Sequence, residues 1–464
     1  MQRKFPPARI GFKRRGSTII LTMIFLALFA SLAVAFHVNA NMSVRKAHNY
    51  THAQNAQLAA ESGVAFMLGA AERITMSATA ADEDLLLGAA NALAEQMDDT
   101  ANMGDGEIMM EGNTVFTPVI SAGNDGRAFQ IEITEDPATQ ELWMTSTGHW
   151  KGVSKRIRMR LDPQARRSVV LDYGIASKGK IVLGGDGTVL GLNDPNEASV
   201  FSATFSDDEA VEITGSCTLG GDISTANPDS YVTIKGKPII GGTSDPSEYG
   251  DHINIGVGNP EFPEVDPTVF EPYATNVLPI GADTSSDIVL ENIRIPAGMN
   301  PKFSAKVTIR GVVYVEQPND ITFTGQTEII GVIATQDAGE DVFEENKLKF
   351  TGNVSCEGVE ALPDEPQFQE LREMPGTMIM APGFGVEFTG SFEALNGAII
   401  AEKFSMTGNA GGIVRGPILC YGDTNFELLG SSEVHIDRQT YAETPAGLRL
   451  PVQLVPLPET YQEN

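Results

Sequence analysis

The three thiols of this 464-residue chain, Cys217, Cys356 and Cys420, are far apart and each lies near a glycine. An odd number of cysteines without close spacing fits neither a disulfide framework nor a metal knot. They read as small buried hydrophobes. Among the six histidines (His37, His48, His52, His149, His252, His435), only His48 and His52 have a ligand spacing, four apart on one helix face. With no acidic companion nearby they fall short of the three or four donors that zinc takes, so no metal site is expected. Cleaving a glycosidic bond needs two carboxyls about 5 to 9 Å apart. Asp207, Asp208, Glu209 and Asp423 are candidates, but nothing ties them into one constellation, and turn or surface acids are the ordinary reading. Gly184-Gly185-Asp186-Gly187 is a single glycine-aspartate run of a kind that binds calcium when repeated; one copy favours a plain turn. Calcium is the one cofactor left open, and otherwise none is expected. No phosphate loop, nucleophile elbow or dinucleotide fingerprint is present, and the chain reads as a non-enzyme.

The elements that would hold such residues begin with a membrane span. Residues 17–36 are uncharged and apolar, directly after Lys13, Arg14, Arg15 and Gly16. At about 1.5 Å per residue this length crosses a hydrocarbon core of about 30 Å. A secretory signal would have a shorter apolar core of about 7 to 15 residues and then a break. No proline occurs between Pro7 and Pro118, and Ala56, Ala59, Ala60, Gly63, Phe66, Met67, Ala70 and Ile74 recur at steps of three and four. The helix is therefore predicted to continue beyond the membrane. All eight charges before Glu61 are basic, six of them ahead of the span. This asymmetry keeps the short N-terminal tail in the cytoplasm and sends the rest outward. Without those eight bases the chain has 24 Lys and Arg against 61 Asp and Glu. So acidic an outer part repels nucleic acid and anionic head groups and favours basic partners or divalent cations; as a bland alternative, it is only a well-solvated surface.

A basic tail, a glycine, an unbroken apolar span and a continuing amphipathic helix together resemble the type IV pilin-like family, including minor pilins and pseudopilins, over residues 9–76. The stretch Ala53-Gln54-Asn55-Ala56-Gln57-Leu58-Ala59-Ala60-Glu61-Ser62-Gly63 resembles that of the PilX-like subgroup. The resemblance implies cleavage by a prepilin peptidase between Gly16 and Ser17, and assembly through the helix. Two positions depart from the family: Ser17 replaces a bulky apolar residue, and Leu21 stands where major pilins carry a glutamate. Without a carboxylate to pair with a neighbour's terminal amine in lipid, a low-copy or tip subunit is implied rather than the major repeating one. An uncut signal anchor is the alternative. Ala56, Ala59, Ala60, Gly63 and Ala70 allow close helix approach. Beyond residue 50 they are expected to pack on the chain's own next domain.

Asp82–Met97 reads as a second short helix, with acids at its start where the helix dipole favours them. From Glu107 the period changes to two, predicting an antiparallel meander of four or five strands. Arg156, Arg158 and Arg160 face away from its apolar side; they could hold an anion or an acidic neighbour, although a solvated strand face is the usual case. From Val169 glycines are dense. Phe323-Thr-Gly325, Phe350-Thr-Gly352, Phe388-Thr-Gly390 and Met406-Thr-Gly408 repeat one element, with Leu428-Leu-Gly a weaker copy. Glycines at 311, 331, 358, 376, 397 and 416 are read as opening successive strands about one coil apart. This predicts a parallel β-helix, right-handed by the resemblance stated for the whole chain, with repeated phenylalanines stacked inside. Bursts at 181–183, 211–213, 232–234 and 293–295 are read as earlier coils, and a β-sandwich is the alternative.

The expected fold class is mainly β: a long N-terminal helix, a small antiparallel meander, then a parallel β-helix. The expected parts are a basic leader 1–16, helix 17–76, short helix and connection 77–105, meander 106–165, β-helix 169–440 with inserted loops 243–280, 337–347 and 361–375, and a proline-rich tail 441–464 that covers the last open coil. The function read here is a non-catalytic, pilin-like or pseudopilin-like surface subunit in the inner membrane, with its C-terminal domain periplasmic or extracellular. Its implied partners are a prepilin peptidase, other pilin-like subunits, and pilus or type II secretion machinery. The rival readings are a membrane-tethered β-helix that binds or cleaves extracellular polysaccharide, and a scaffold whose coils stack end to end.

Overall fold

The computed structural model describes residues 15–71, 73–97, 100–101, 103–104, 106–339, 342–439 and 444–463. Most of the basic leader lies outside them. The chain divides into two compact units: residues 1–74, 84–163 and 454–464 form the first, and residues 75–83 and 164–453 the second.

The first unit is built on helix α1, Arg15–Ala71, about 86 Å long at the standard rise. The expected short helix is two helices, Ala78–Glu83 in the second unit and Leu85–Met97 in the first. Asp84 caps the latter, its Oδ1 accepting from Leu87 N at 2.9 Å. Strands Ala128–Glu135, Leu142–Trp150 and Val153–Ala165 form the centre of an antiparallel sheet. Phe129, Ile131, Ile133, Leu142, Met144, Ile157, Met159 and Leu161 face inward, as their period of two requires. The sheet is larger than the four or five strands expected, because Met109–Glu111, Thr114–Phe116 and Ile120–Ser121 join one side and the C-terminal strand Val452–Glu463 lies next to Val153–Ala165. The tail therefore does not cover the last coil: its residues 452–463 extend an antiparallel sheet.

The second unit is a parallel β-helix, which excludes the sandwich. Strands on three faces pair in parallel with the equivalent strands of neighbouring coils. Phe303, Phe323, Phe350, Phe388, Met406, Leu428, Leu183, Ile213 and Ile234 are successive register partners in one inward-facing column. The rings of Phe303, Phe323, Phe350 and Phe388 stack with centroids 5.1, 5.0 and 4.8 Å apart. Where Met406 takes the place of a ring, Phe404 continues the stack from two residues earlier and meets Phe426 at 5.4 Å. Each well-placed ring pair adds about 0.5 to 1.5 kcal/mol beyond area burial.

The residue pair that follows the column, Thr-Gly after Phe323, Phe350, Phe388, Met406 and Ile213, makes one corner of the coil. A Cβ on Gly352 would lie 1.9 Å from the Gly325 carbonyl oxygen, and one on Gly390 2.0 Å from that of Gly352. The same close approach continues through Gly430, Gly185, Gly215 and Gly236. Gly311 and Gly331, read as opening strands, instead bend the continuous strands Val307–Val315 and Thr327–Thr335 at a second corner; both have positive φ. There a Cβ on Gly331 would stand 2.0 Å from the Gly311 oxygen.

The coils do not follow one another in chain order. The first coil consists of Ile175–Ser177, Ile181–Leu183 and Thr188–Gly191. On one side it pairs with the second coil, Val200–Ser202, Glu209–Gly215 and Thr218–Leu219. On the other it pairs with the last coil, Ile418–Cys420, Phe426–Leu428 and Glu433–Ile436. The bursts at 181–183, 211–213 and 232–234 are thus coils, as expected, but they lie beyond the last coil rather than before the phenylalanine stack. The chain enters the stack in its middle and winds to one end at Ile253–Ile255. It then crosses to the other end at Asn276–Val277, and winds back until its last coil meets its first.

Residues 243–280, expected as an inserted loop, make this crossing. At one end Tyr249 is buried in the coil core and donates its hydroxyl to Pro238 O at 2.6 Å. Next, Phe262 contacts Phe201 and Tyr421, and Phe270 is fully buried over the face bearing Val312, Tyr314, Val332 and Met380. At the far end Leu278 is buried against the coil core. Residues 359–371 and Leu448 cover the same outer face, giving a second apolar layer outside the coils. Its other two faces carry no such layer among the described residues.

Candidate functional site

Helix α1 changes environment along its length. Residues 18–36 carry no charge, and their large side chains are exposed, Leu21 by 54% and Phe29 by 66%. This is one helix long and apolar enough to cross a membrane. From Ala56 onward one side is buried on its own sheet: Ala56, Ala59, Ala60, Met67 and Ala70 face strands 128–135 and 142–150. Ser146 Oγ donates to Ala60 O at 2.8 Å, and a Cβ on Gly148 would lie 2.1 Å from Ala56 O. Gly63 is as tightly enclosed, by Ser146 and Phe129. Glu61 is exposed on the opposite side, within reach of Gln57 at 3.4 Å. Gly16 and Ser17 lie in the first turn of α1, and their side chains are outside the described residues.

The outer face of the antiparallel sheet carries Arg156, Arg158 and Arg160. Arg158 lies over the Trp143 ring at 4.2 Å, and Arg160 pairs with Glu141 at 2.7 Å. Glu132, Thr134, Trp143, Thr145, Arg156 and Arg158 line a shallow groove of about 310 Å³.

In the solenoid three of the four acids suggested by sequence, Asp207, Glu209 and Asp423, have partners within the fold. Glu209 and Glu212 both pair with Lys180, which holds the two carboxyls below their usual range; Glu212 also meets Lys235 at 2.9 Å. Asp423 accepts from Ser206 at 2.7 Å, and Asp207 Oδ1 caps the turn at Glu209 N. Gly185 of the glycine-aspartate run belongs to the corner column, packed on Gly430. Cys217, Cys356 and Cys420 are buried free thiols; burial raises all three pKa values, that of Cys356 to about 12. Among the described residues no group of three metal-ligating side chains occurs.

A feature the sequence did not signal is the polar clasp where first and last coils meet. The buried Glu197 carboxylate accepts from Asn193 N at 2.8 Å, and from Asn193 Nδ2, Asp194 N and Arg438 N at longer range. Desolvation raises its pKa, but these four donors outweigh it and hold the carboxyl below the ordinary value. Asn193 Nδ2 also reaches Asp437 at 3.1 Å, and Arg438 donates to Leu171 O at 2.7 Å. An open cleft of about 570 Å³ lies beside the clasp, bounded by Tyr173, Asp194, Glu197 and Arg438. Asn193 and Asp437 are separated by most of the solenoid sequence, so no local motif could reveal their contact.

No family model matches the chain, and no curated protein does. Among solved structures, the crystal structure of the competence-associated pilin ComZ from Thermus thermophilus is similar at 13% identity, over 89% of this chain and 98% of that one, with a TM-score of 0.25. A superposition at that score carries no weight for fold or function.

Proposed function

We propose that the chain is a membrane-anchored, pilin-like surface subunit that works by assembly and contact, not by catalysis. The reading rests on one observation: a single helix is bare, apolar and uncharged over 18–36, then packed by small residues onto its own sheet from Ala56. Such a helix inserts its first part in a bilayer and presents the folded units outside it. Cleavage after Gly16 by a prepilin peptidase would free Ser17 as the new terminus, leaving the bare segment to pack among the helices of other pilin-like subunits. With Leu21 in place of a carboxylate, the subunit suits a low-copy position. The solenoid unit, with 44 Asp and Glu against 17 Lys and Arg, is its outward surface, disposed toward basic or cation-bridged ligands. Contact with pilus or type II secretion machinery and with extracellular polysaccharide belongs to the same proposal.

The test is terminal sequencing of the membrane-extracted protein after co-expression with a prepilin peptidase. A chain starting at Ser17, and an uncut chain when Gly16 is replaced by Val, are the expected results. A terminus at Met1 with the active peptidase present would overturn processing and leave a simple tether.

A further inference from the structure

We propose that the seam between first and last coils is a hinge at which the solenoid opens reversibly, the coils on either side staying folded. Every other boundary between neighbouring coils is crossed by the chain as it passes from one turn to the next. The seam is crossed by no such turn, because Asp437 leaves the last coil while Ile175 begins the first.

The ladder does not make up for the missing turn: the seam pairs three, three and four residues on its three faces, close to the three, three and two between the first and second coils, which the chain does connect. The stack of rings ends there as well, since Phe426 is followed in register by Ile181. Inside the coils ring stacking therefore holds the turns before the seam and does not extend across it; outside, Phe262 bridges Phe201 and Tyr421 on one face alone.

The crossing segment and the clasp set the direction of opening. Tyr421 donates to Pro263 O at 2.5 Å on the last-coil side, and Ser168 to Glu261 O at 2.7 Å on the first-coil side, so one face is stapled. The clasp of Asn193, Glu197, Asp437 and Arg438 holds the next corner. At the glycine corner the coils are joined by backbone hydrogen bonds, Gly184 N to Leu428 O and Asp186 N to Gly430 O, each 2.8 Å, and by the apolar side chains of Leu428 and Leu429 beside Gly187 and Gly184. The joint opens widest there, about an axis along the stapled face.

Hydrogen exchange of the full chain in detergent, read by mass spectrometry, tests this. Peptides containing Gly184 and Asp186 are expected to exchange about ten-fold or more faster than peptides containing Thr351 and Thr389, which donate across interior boundaries at the same corner. Equal or slower exchange at the seam would overturn the proposal, and this wild-type comparison decides even if no variant folds. In a Val182→Cys, Glu427→Cys variant, whose two positions are register partners across the seam beside the glycine corner, the excess should vanish once the disulfide forms. Excess exchange that persists with the cross-link formed would mark local fraying and reject the hinge.

Discussion

Cys420 and Ser177 are register partners in adjacent parallel strands, although every other coil of the solenoid lies between them along the chain. This pairing follows from where the solenoid is inserted. It interrupts an antiparallel sheet between neighbouring strands, Val153–Ala165 and Val452–Glu463, so the chain must leave and return at one place. Arg166 N donates to Pro451 O at 2.8 Å where it does so. A solenoid wound in simple order would separate its ends by about 4.8 Å per coil. Starting in the middle and closing on the first coil brings them together.

Oxidising the Ser177→Cys variant should therefore produce a disulfide with Cys420, since in-register parallel neighbours fall within the spacing a disulfide spans. The check is faster migration on non-reducing gels, lost on reduction and absent when Cys420 is also replaced by Ser. Failure of a folded variant to cross-link would contradict the coil order.

Replacing Gly352 by Ala should destabilise the solenoid by about 3 kcal/mol or more, because the new methyl would strike the Gly325 carbonyl and parallel strands on both sides prevent retreat. Gly69→Ala is the control: nothing lies within 4 Å of its Cβ, so helix propensity should give a gain of up to about 1 kcal/mol. Urea unfolding of the two variants should move in opposite directions.

Phe350→Ala removes a ring stacked on both sides and fully buried, and should cost about 3 to 5 kcal/mol. Phe350→Leu should lose less, since it keeps most of the volume. Calorimetric melting of the solenoid transition separates the two, and equal losses would argue against stacking as the specific contribution.

Glu197 ties the clasp to pH. Its folded pKa is depressed, so its contribution is present above the ordinary carboxylate value and lost as pH falls through the depressed one. The urea midpoint of the wild type should drop over that acidic window, and Glu197→Gln should flatten the drop while lowering stability at neutral pH. An unchanged pH profile would assign the acid sensitivity to other carboxylates.

Phe25→Arg places a charge within the bare segment and should reduce membrane insertion, at a cost of about 2.5 to 3.5 kcal/mol. Alkaline extraction of membranes should release more of this variant than of the wild type. Undiminished retention would locate the membrane attachment elsewhere.

The span, the antiparallel sheet and the existence of coils were legible in the sequence because each has a local signature: an uncharged run, a period of two, and Phe-Thr-Gly repeated at coil spacing. Those signals depend on neighbours along the chain. Which coil lies next to which was decided only in three dimensions, because Leu428 meets Leu183 with the same apolar demand that it would make of any other coil. The proline-rich segment 243–280 likewise read as a loop, for prolines mark the absence of a ladder without saying what their neighbours cover; its buried Tyr249, Phe262, Phe270 and Leu278 take their roles from coils far away in sequence. Composition fixed the chemistry of each coil, and the need to bring both ends of the insertion together selected their order.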